Sequence, residues 1–310
     1  MQSAPFFGDI ARAPAGGIFE YRTCADGVRV RVAAWKGGDN GTVLIFQGRT
    51  EFIEKYGPTI QNFLDRGYSV AAIDWRGHGL SDRISDRPTL GHVNHFKDYQ
   101  LDVAELLKFV EDQQLPDKFI LLAHSMGGAI GLRAIQGGMK VSHAIFSAPM
   151  WDIAVNGIGD WMIKQYARTV GRYTQRGRLV PSTNIRNASF TTEYDGNNLT
   201  NNAAEFELRE KQLSAHPSLE VGGPSVGWVN EALKDTRKLR QKPLPEIPNL
   251  CFVGSKDTIV SQHAIHAVMR LWESGELIEF DGAQHELLIE TPEVAERIWD
   301  KIDTLLGSSV

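Results

Sequence analysis

A strand that runs straight into a serine and then into a helix constrains this chain more than any other feature. Phe119-Ile120-Leu121-Leu122-Ala123 is a continuous apolar run of strand length, and the residues from Gly127 onward read as a helix, so Ser125 stands at the junction. A serine on so sharp a turn is held in a strained backbone, with its hydroxyl pushed out of the sheet. Such a turn has room only for very small side chains two positions before and two after the serine. Gly127 meets that need on one side; Ala123 stands where the usual G-x-S-x-G pattern has glycine, a difference of one methyl group. The pentapeptide alone also fits a serine and two glycines capping an ordinary helix, so its surroundings decide.

Those surroundings alternate. Residues 18–22 and 28–32 are short alternating runs separated by Asp26-Gly27, which predicts an antiparallel hairpin. Val43-Leu44-Ile45-Phe46 then reads as a strand buried on both faces, followed by a helix over 52–66 that ends at Gly67 and a strand over 68–74. A helix over 98–112, the serine strand with its helix, and a strand over 143–146 continue the pattern. From residue 150 to 242 the alternation breaks, as an insertion packed over the sheet would break it. The Pro-rich stretch 242–248 leads back to a strand (250–253), a helix (262–273), a strand (276–280) and a helix over 292–306 that opens on Pro292. Strand alternating with helix predicts an α/β fold, a mostly parallel central sheet with helices on both faces.

Charge and composition exclude several classes. A formal charge of −5 argues against a nucleic-acid partner, because phosphate binding wants a basic face. The two cysteines, Cys24 and Cys251, fall in or beside strands and are expected as reduced core residues, in keeping with a cytoplasmic enzyme. Residues 1–17 lack the basic start and apolar core of a signal peptide, and no apolar run is long enough to span a membrane. Peripheral contact with lipid stays open, as does the oligomeric state.

In an open parallel sheet, ligands bind beyond the carboxyl ends of the strands. In chain order those ends carry Gln47-Gly48-Arg49-Thr50-Glu51, the turn from Asp74 to Ser81, Ser125, Gly254-Ser255-Lys256-Asp257 and Asp281-Gly282-Ala283-Gln284-His285. A serine, an acid and a histidine at three such ends are what acyl transfer needs: a nucleophile, a base to move its proton, and a carboxylate to hold the base's tautomer. The order Ser125, Asp257, His285 is the one an α/β-hydrolase sheet uses.

At this point the chain resembles the serine-aminopeptidase-like branch of the α/β-hydrolases, and is similar to bacterial lysophospholipases and monoacylglycerol lipases. The residues that carry the resemblance are Gly48-Arg49-Thr50-Glu51 with Lys55-Tyr56, Asp74-x-Arg76-Gly77-His78-Gly79-x-Ser81, His124-Ser125-Met126-Gly127-Gly128, Gly254-x-x-Asp257 and His285-Glu286. It implies a hydrolase core of residues 1–149 and 243–310, with 150–242 as a mainly helical lid. It also implies a serine hydrolase that cleaves the ester of a monoacyl lipid through an acyl-serine intermediate, without metal or organic cofactor. A lysophospholipid is the first expectation. A monoacylglycerol or a generic carboxylic ester comes next, then an aminopeptidase substrate, and last a hydrolase-like fold kept only for binding.

Each assignment has a rival. Ser125 is the expected nucleophile and His285 the general base; His124 adjoins the serine but points to the other side of the strand end and is expected to pack the elbow. Asp257 is favoured as the orienting acid over Asp152, which also follows a strand. The oxyanion hole needs two backbone N–H groups. One is that of Met126, after the serine; the resemblance places the other at Arg49, with Gln47 where lipases have histidine. The Arg49 guanidinium matches phosphate in shape, against the plainer reading of a surface arginine. His263 and His266 lie three apart on a helix and lack metal-ligand partners at suitable spacing. Glu51 and Glu286 are placed behind the site without an assigned chemistry, and the glycines between Asp74 and Ser81 are expected to shape a turn. Trp151, Ile153, Val155, Ile158, Trp161, Met162 and Ile163 either line an acyl-chain pocket or pack the insertion's own core.

Overall fold

A computed structural model describes residues 2–154, 158–170, 177–180 and 193–307, the side chains of 158–160, 163 and 170 excepted. The two short alternating runs form β2 (Ile18–Thr23) and β3 (Arg29–Trp35), an antiparallel pair, to which β1 (Gln2–Ser3) adds antiparallel beside β2, with α1 (Gly8–Ala11) between β1 and β2 in the chain. Gly27 turns the β2–β3 hairpin at φ 84°, a conformation that costs glycine nothing.

Strands and helices then alternate as β4 (Thr42–Phe46), α2 (Gly57–Asp65), β5 (Ser69–Asp74), α3 (Tyr99–Asp112), β6 (Phe119–His124), α4 (Met126–Gln136) and β7 (His143–Ser147). Three helices follow: α5 (Ile158–Val170), α6 (Ala203–Ala215) and α7 (Val226–Leu239). The alternation resumes with β8 (Asn249–Gly254), α8 (Gln262–Met269), β9 (Gly275–Phe280) and α9 (Pro292–Leu306). Two helices are shorter than their sequence patterns. The one expected from residue 52 starts as a 3₁₀ turn over Ile53–Tyr56, and the α-helix begins only at Gly57. Pro58 tolerates only the first helical turn, where its missing N–H has no partner to lose. The helix expected over 262–273 ends at Met269.

The strands form one sheet in the order β1-β2-β3-β5-β4-β6-β7-β8-β9. From β5 to β9 all neighbours are parallel, and β3 joins this half antiparallel to β5. Every residue of β4, β5 and β8 is buried, which is why these strands read as unbroken apolar runs rather than alternating ones. Trp151 belongs to this core: its ring lies 5.2 Å from Phe146 and 6.2 Å from Trp272, and its Nε1–H donates to the Gly128 carbonyl at 3.3 Å. Cys24 and Cys251 are free and buried, as expected.

A buried charge cluster fixes the antiparallel half to the parallel half. Arg31 of β3 reaches Glu54 at 2.6 Å and Asp74 at 2.7 Å, and none of the three side chains is exposed. Asp74 also accepts from the backbone N–H of Ile53 (3.0 Å) and Leu80 (2.8 Å), so one carboxylate holds the loops after β4 and β5 together. The Asp74–Ser81 turn is therefore structural. A Cβ on Gly79 would lie 2.0 Å from the Asp74 carboxylate.

Candidate active site

The turn between β6 and α4 has the strain its sequence predicts. Ser125 sits at φ 49°, ψ −116°, which costs a non-glycine residue about 1–3 kcal/mol. The surrounding backbone holds it there: its N–H donates to Ser147 at 3.0 Å, and its carbonyl accepts from Gly128 at 2.9 Å and Met150 at 2.8 Å. A Cβ on Gly127 would meet the Phe46 carbonyl at 1.9 Å, so only glycine fits. Ala123 is tolerated because it faces Gly131; even a Cβ built there would clear the alanine methyl by 3.5 Å.

Asp257 follows β8 and His285 follows β9, and the fold joins them. The His285 Nδ1 lies 2.7 Å from Asp257 Oδ2, both side chains being buried. The other carboxylate oxygen accepts from the N–H groups of Ile259 (2.8 Å) and Val260 (3.1 Å), which fixes its orientation. A carboxylate can only accept, so Nδ1 carries the proton and the neutral ring presents a free lone pair at Nε2. Burial opposes charge on both groups, yet their mutual attraction outweighs it: His285 is raised above 6.5 and Asp257 held below the usual carboxylate range. The His285 ring packs 4.8 Å from that of His124, the residue before Ser125.

The loop after β4 lies beside the elbow because β4 pairs with β6 in parallel register. Thr50 takes φ 65°, and the Gly48 N–H donates to the Glu51 carboxylate, which curls the loop. Among the described residues, no protein group accepts from the backbone N–H of Arg49 or of Met126. Two unpaired amides at the carboxyl ends of neighbouring strands are donors in want of an acceptor.

The family model described as serine aminopeptidase, S33 matches residues 38–292, from just before β4 to the start of α9. The chain belongs to this family.

Named relatives of this S33 hydrolase agree. Lysophospholipase L2 of Escherichia coli is 29% identical over 284 residues, covering 86% of this chain and 81% of that protein. The monoglyceride lipase of Rattus norvegicus is 26% identical over 295 residues, with 92% and 89% covered. The solved structure of a soluble variant of monoglyceride lipase from Saccharomyces cerevisiae superposes with a TM-score of 0.72 at 20% identity, covering 94% of this chain and 96% of that one, which confirms the α/β-hydrolase fold.

The structure also settles where the rival residues of this S33 hydrolase lie. Asp152 pairs with Arg240 at 2.9 Å and Lys164 at 3.3 Å, so its charge is engaged by two cations. His124 is buried, bonded through Nδ1 to the Ser147 carbonyl at 3.0 Å and pushed by burial down to about 4; it packs the elbow as expected, but its ring lies against that of His285 at 4.8 Å rather than turned to the opposite side. His266 pairs with Glu279 at 3.1 Å, and among the described residues no three His, Cys, Asp or Glu side chains gather where a metal ion could sit. The Arg49 guanidinium is not a plain surface group. It donates to the Gly222 carbonyl and lies 5.3 Å from the Trp228 ring, and burial lowers it to about 10. Trp161 and Met162 are 56% and 59% exposed, so they neither pack a core nor line a closed pocket; Val155, Ile158 and Ile163 lie outside the described residues and side chains. Sequence reasoning gave Lys55 and Tyr56 no role. Tyr56 is buried and Lys55 nearly so, both bonded to Glu51 at 2.6 Å, and the sequence marked them only through the resemblance, in which they stand four and five residues after Glu51.

Proposed function

We propose that this S33 hydrolase is a lysophospholipase that works through an acyl-Ser125 intermediate. The Ser125 hydroxyl attacks the ester carbonyl while His285 Nε2 takes its proton, and Asp257 holds the ring and favours the imidazolium that forms. The developing oxyanion is met by the N–H groups of Arg49 and Met126. The imidazolium then protonates the leaving alcohol; water, deprotonated by the same ring, releases the fatty acid and restores Ser125. The observation that carries this reading is the 2.7 Å Asp257–His285 bond, its ring packed 4.8 Å from that of His124, which adjoins a serine held at positive φ.

That the substrate is a carboxylic ester of monoacyl-lipid type rests on the relatives. The phospholipid is placed first because lysophospholipase L2 is 29% identical and the rat monoglyceride lipase 26%; the monoacylglycerol is the second reading. Residues 150–242 are proposed as the lid, supported by the three helices that interrupt the alternation between β7 and β8. Peripheral contact with lipid through α5 is supported by the exposed Trp161 and Met162. Among the described residues, no helix is long and apolar enough to cross a membrane.

The deciding experiment is hydrolysis of a lysophosphatidylcholine and a monoacylglycerol of equal chain length, with Ser125→Ala as blank. Faster cleavage of the phospholipid supports the first reading; faster cleavage of the glyceride replaces it with the second. Turnover that survives Ser125→Ala removes the mechanism. For the lipid surface, Trp161→Ser is expected to weaken co-sedimentation with lipid vesicles, and equal binding by both proteins would exclude α5.

A further inference from the structure

Behind His285 and the loop that carries Arg49 lies a buried charged cluster to which the proposed chemistry assigns nothing. Lys55, in the 3₁₀ turn Ile53–Tyr56, places its ammonium 2.6 Å from Glu51 and 2.7 Å from Glu286. Glu51 belongs to the loop after β4, where its second oxygen accepts from the Gly48 N–H and, at 2.6 Å, from the Tyr56 hydroxyl. Glu286 is the residue next to His285. One ammonium thus joins the loop presenting the Arg49 amide to the loop presenting the imidazole. The cavity among Glu51, Lys55, Tyr56, His124 and Glu286 has a volume of only about 20 Å³, room for a single water, so the cluster is no ligand pocket.

The charges do not balance. Two carboxylates face one ammonium, and Glu286 Oε2 is buried without a hydrogen-bond partner. The groups around His285 are Asp257 beyond β8, His124 at the end of β6, Glu51 beyond β4 and Glu286 on its own loop. Asp257, Glu286 and Glu51 all draw the ring toward its charged form, against its burial. Burial works against charge on Glu51, but Lys55, with the Tyr56 hydroxyl, holds it below the usual carboxylate range.

We propose that Lys55 is a positioning residue: it ties the oxyanion loop to the histidine loop and offsets one of the two glutamates that face the His285 ring. Removing the ammonium has two consequences. The two loops lose their common anchor, which lowers kcat because the contacts they supply act in the transition state. The uncompensated carboxylates also draw a proton onto the His285 ring more readily, which moves the acid limb of activity to higher pH.

The inference rests on the serine hydrolase reading, so turnover of a short p-nitrophenyl ester by the wild-type protein, absent in Ser125→Ala, is measured first; no turnover overturns both. In Lys55→Met, kcat is expected to fall about tenfold or more with KM within about threefold, and the acid limb of kcat/KM to rise by about half a pH unit or more. Lys55→Arg keeps the cation and is expected to recover both. The double variant Lys55→Met with Glu286→Gln has the net charge of the wild-type cluster but no tie. Its acid limb is expected to return while kcat stays low, and it is the protein to read where Lys55→Met does not fold by circular dichroism. An unmoved acid limb in folded Lys55→Met, a loss confined to KM, or full recovery of kcat in the double variant would overturn the role of Lys55 and leave the hydrolase reading standing.

Discussion

At the residue scale, the choice between two aspartates is the sharpest question, and their partners favour Asp257 for the proposed mechanism. Asp257 accepts from two backbone N–H groups and the His285 ring, whereas Asp152 is spent on Lys164 and Arg240. Asp257→Asn should therefore lower kcat/KM on the order of 10³-fold, since it leaves His285 in the wrong tautomer, while Asp152→Asn should stay within about threefold. Comparable losses in both would return Asp152 to the site. The sign of the pH effect follows from the same bond. His285 is a base only when neutral, and Asp257 raises it above 6.5 against the pull of burial. Activity is thus expected to fall as pH drops through a point above 6.5, and in the residual activity of Asp257→Asn that point should move down. A limb that does not move would detach the pH dependence from this pair.

At the scale of the element, the β6–α4 elbow is decided by the space around it. The Phe46 carbonyl occupies the place a Gly127 side chain would need, 1.9 Å from its Cβ, whereas the Ala123 methyl faces Gly131, where even an added Cβ would lie 3.5 Å away. Gly127→Ala should then cost several kcal/mol in urea unfolding, or prevent folding, because backbone rather than a flexible side chain must move. Ala123→Gly restores the commoner pattern and should change stability by about 1 kcal/mol or less. Equal, small effects of the two would mean that the elbow is looser than its contacts indicate. The same crowding explains why the serine stays at positive φ: Ser147 and Met150 hold it from the end of β7 while Gly128 holds it from its own helix, so the turn is gripped from both sides.

At the scale of the whole molecule, the antiparallel hairpin and the parallel sheet meet at Arg31. Its guanidinium is buried against Glu54 and Asp74, and Asp74 also anchors the loops after β4 and β5. Arg31→Met would leave two carboxylates buried without their cation, and a loss of about 3–5 kcal/mol is expected in urea denaturation. Because Glu54 adjoins Lys55 in the same 3₁₀ turn, the loss should extend to the loop beside Ser125 and reduce ester turnover as well. A stable Arg31→Met protein would show that sheet packing alone holds the two halves.

The sequence by itself determined the parallel sheet, the elbow at Ser125 and the strand ends at which Asp257 and His285 stand. These are local properties: an apolar run, a serine between small residues and a loop that follows a strand record their burial and backbone in consecutive letters. Where helices began and ended was less legible, because Pro58 divides one amphipathic pattern into a 3₁₀ turn and a helix. Only the tertiary structure decided that Asp257 rather than Asp152 meets the histidine, that the Arg49 guanidinium turns inward beneath Trp228, that Trp161 faces solvent and that Lys55 bridges Glu51 to Glu286. Long polar side chains take their partners from segments far away in the chain. Which partner comes within about 3 Å is set by how the sheet orders its strands, and no periodicity in the sequence encodes that.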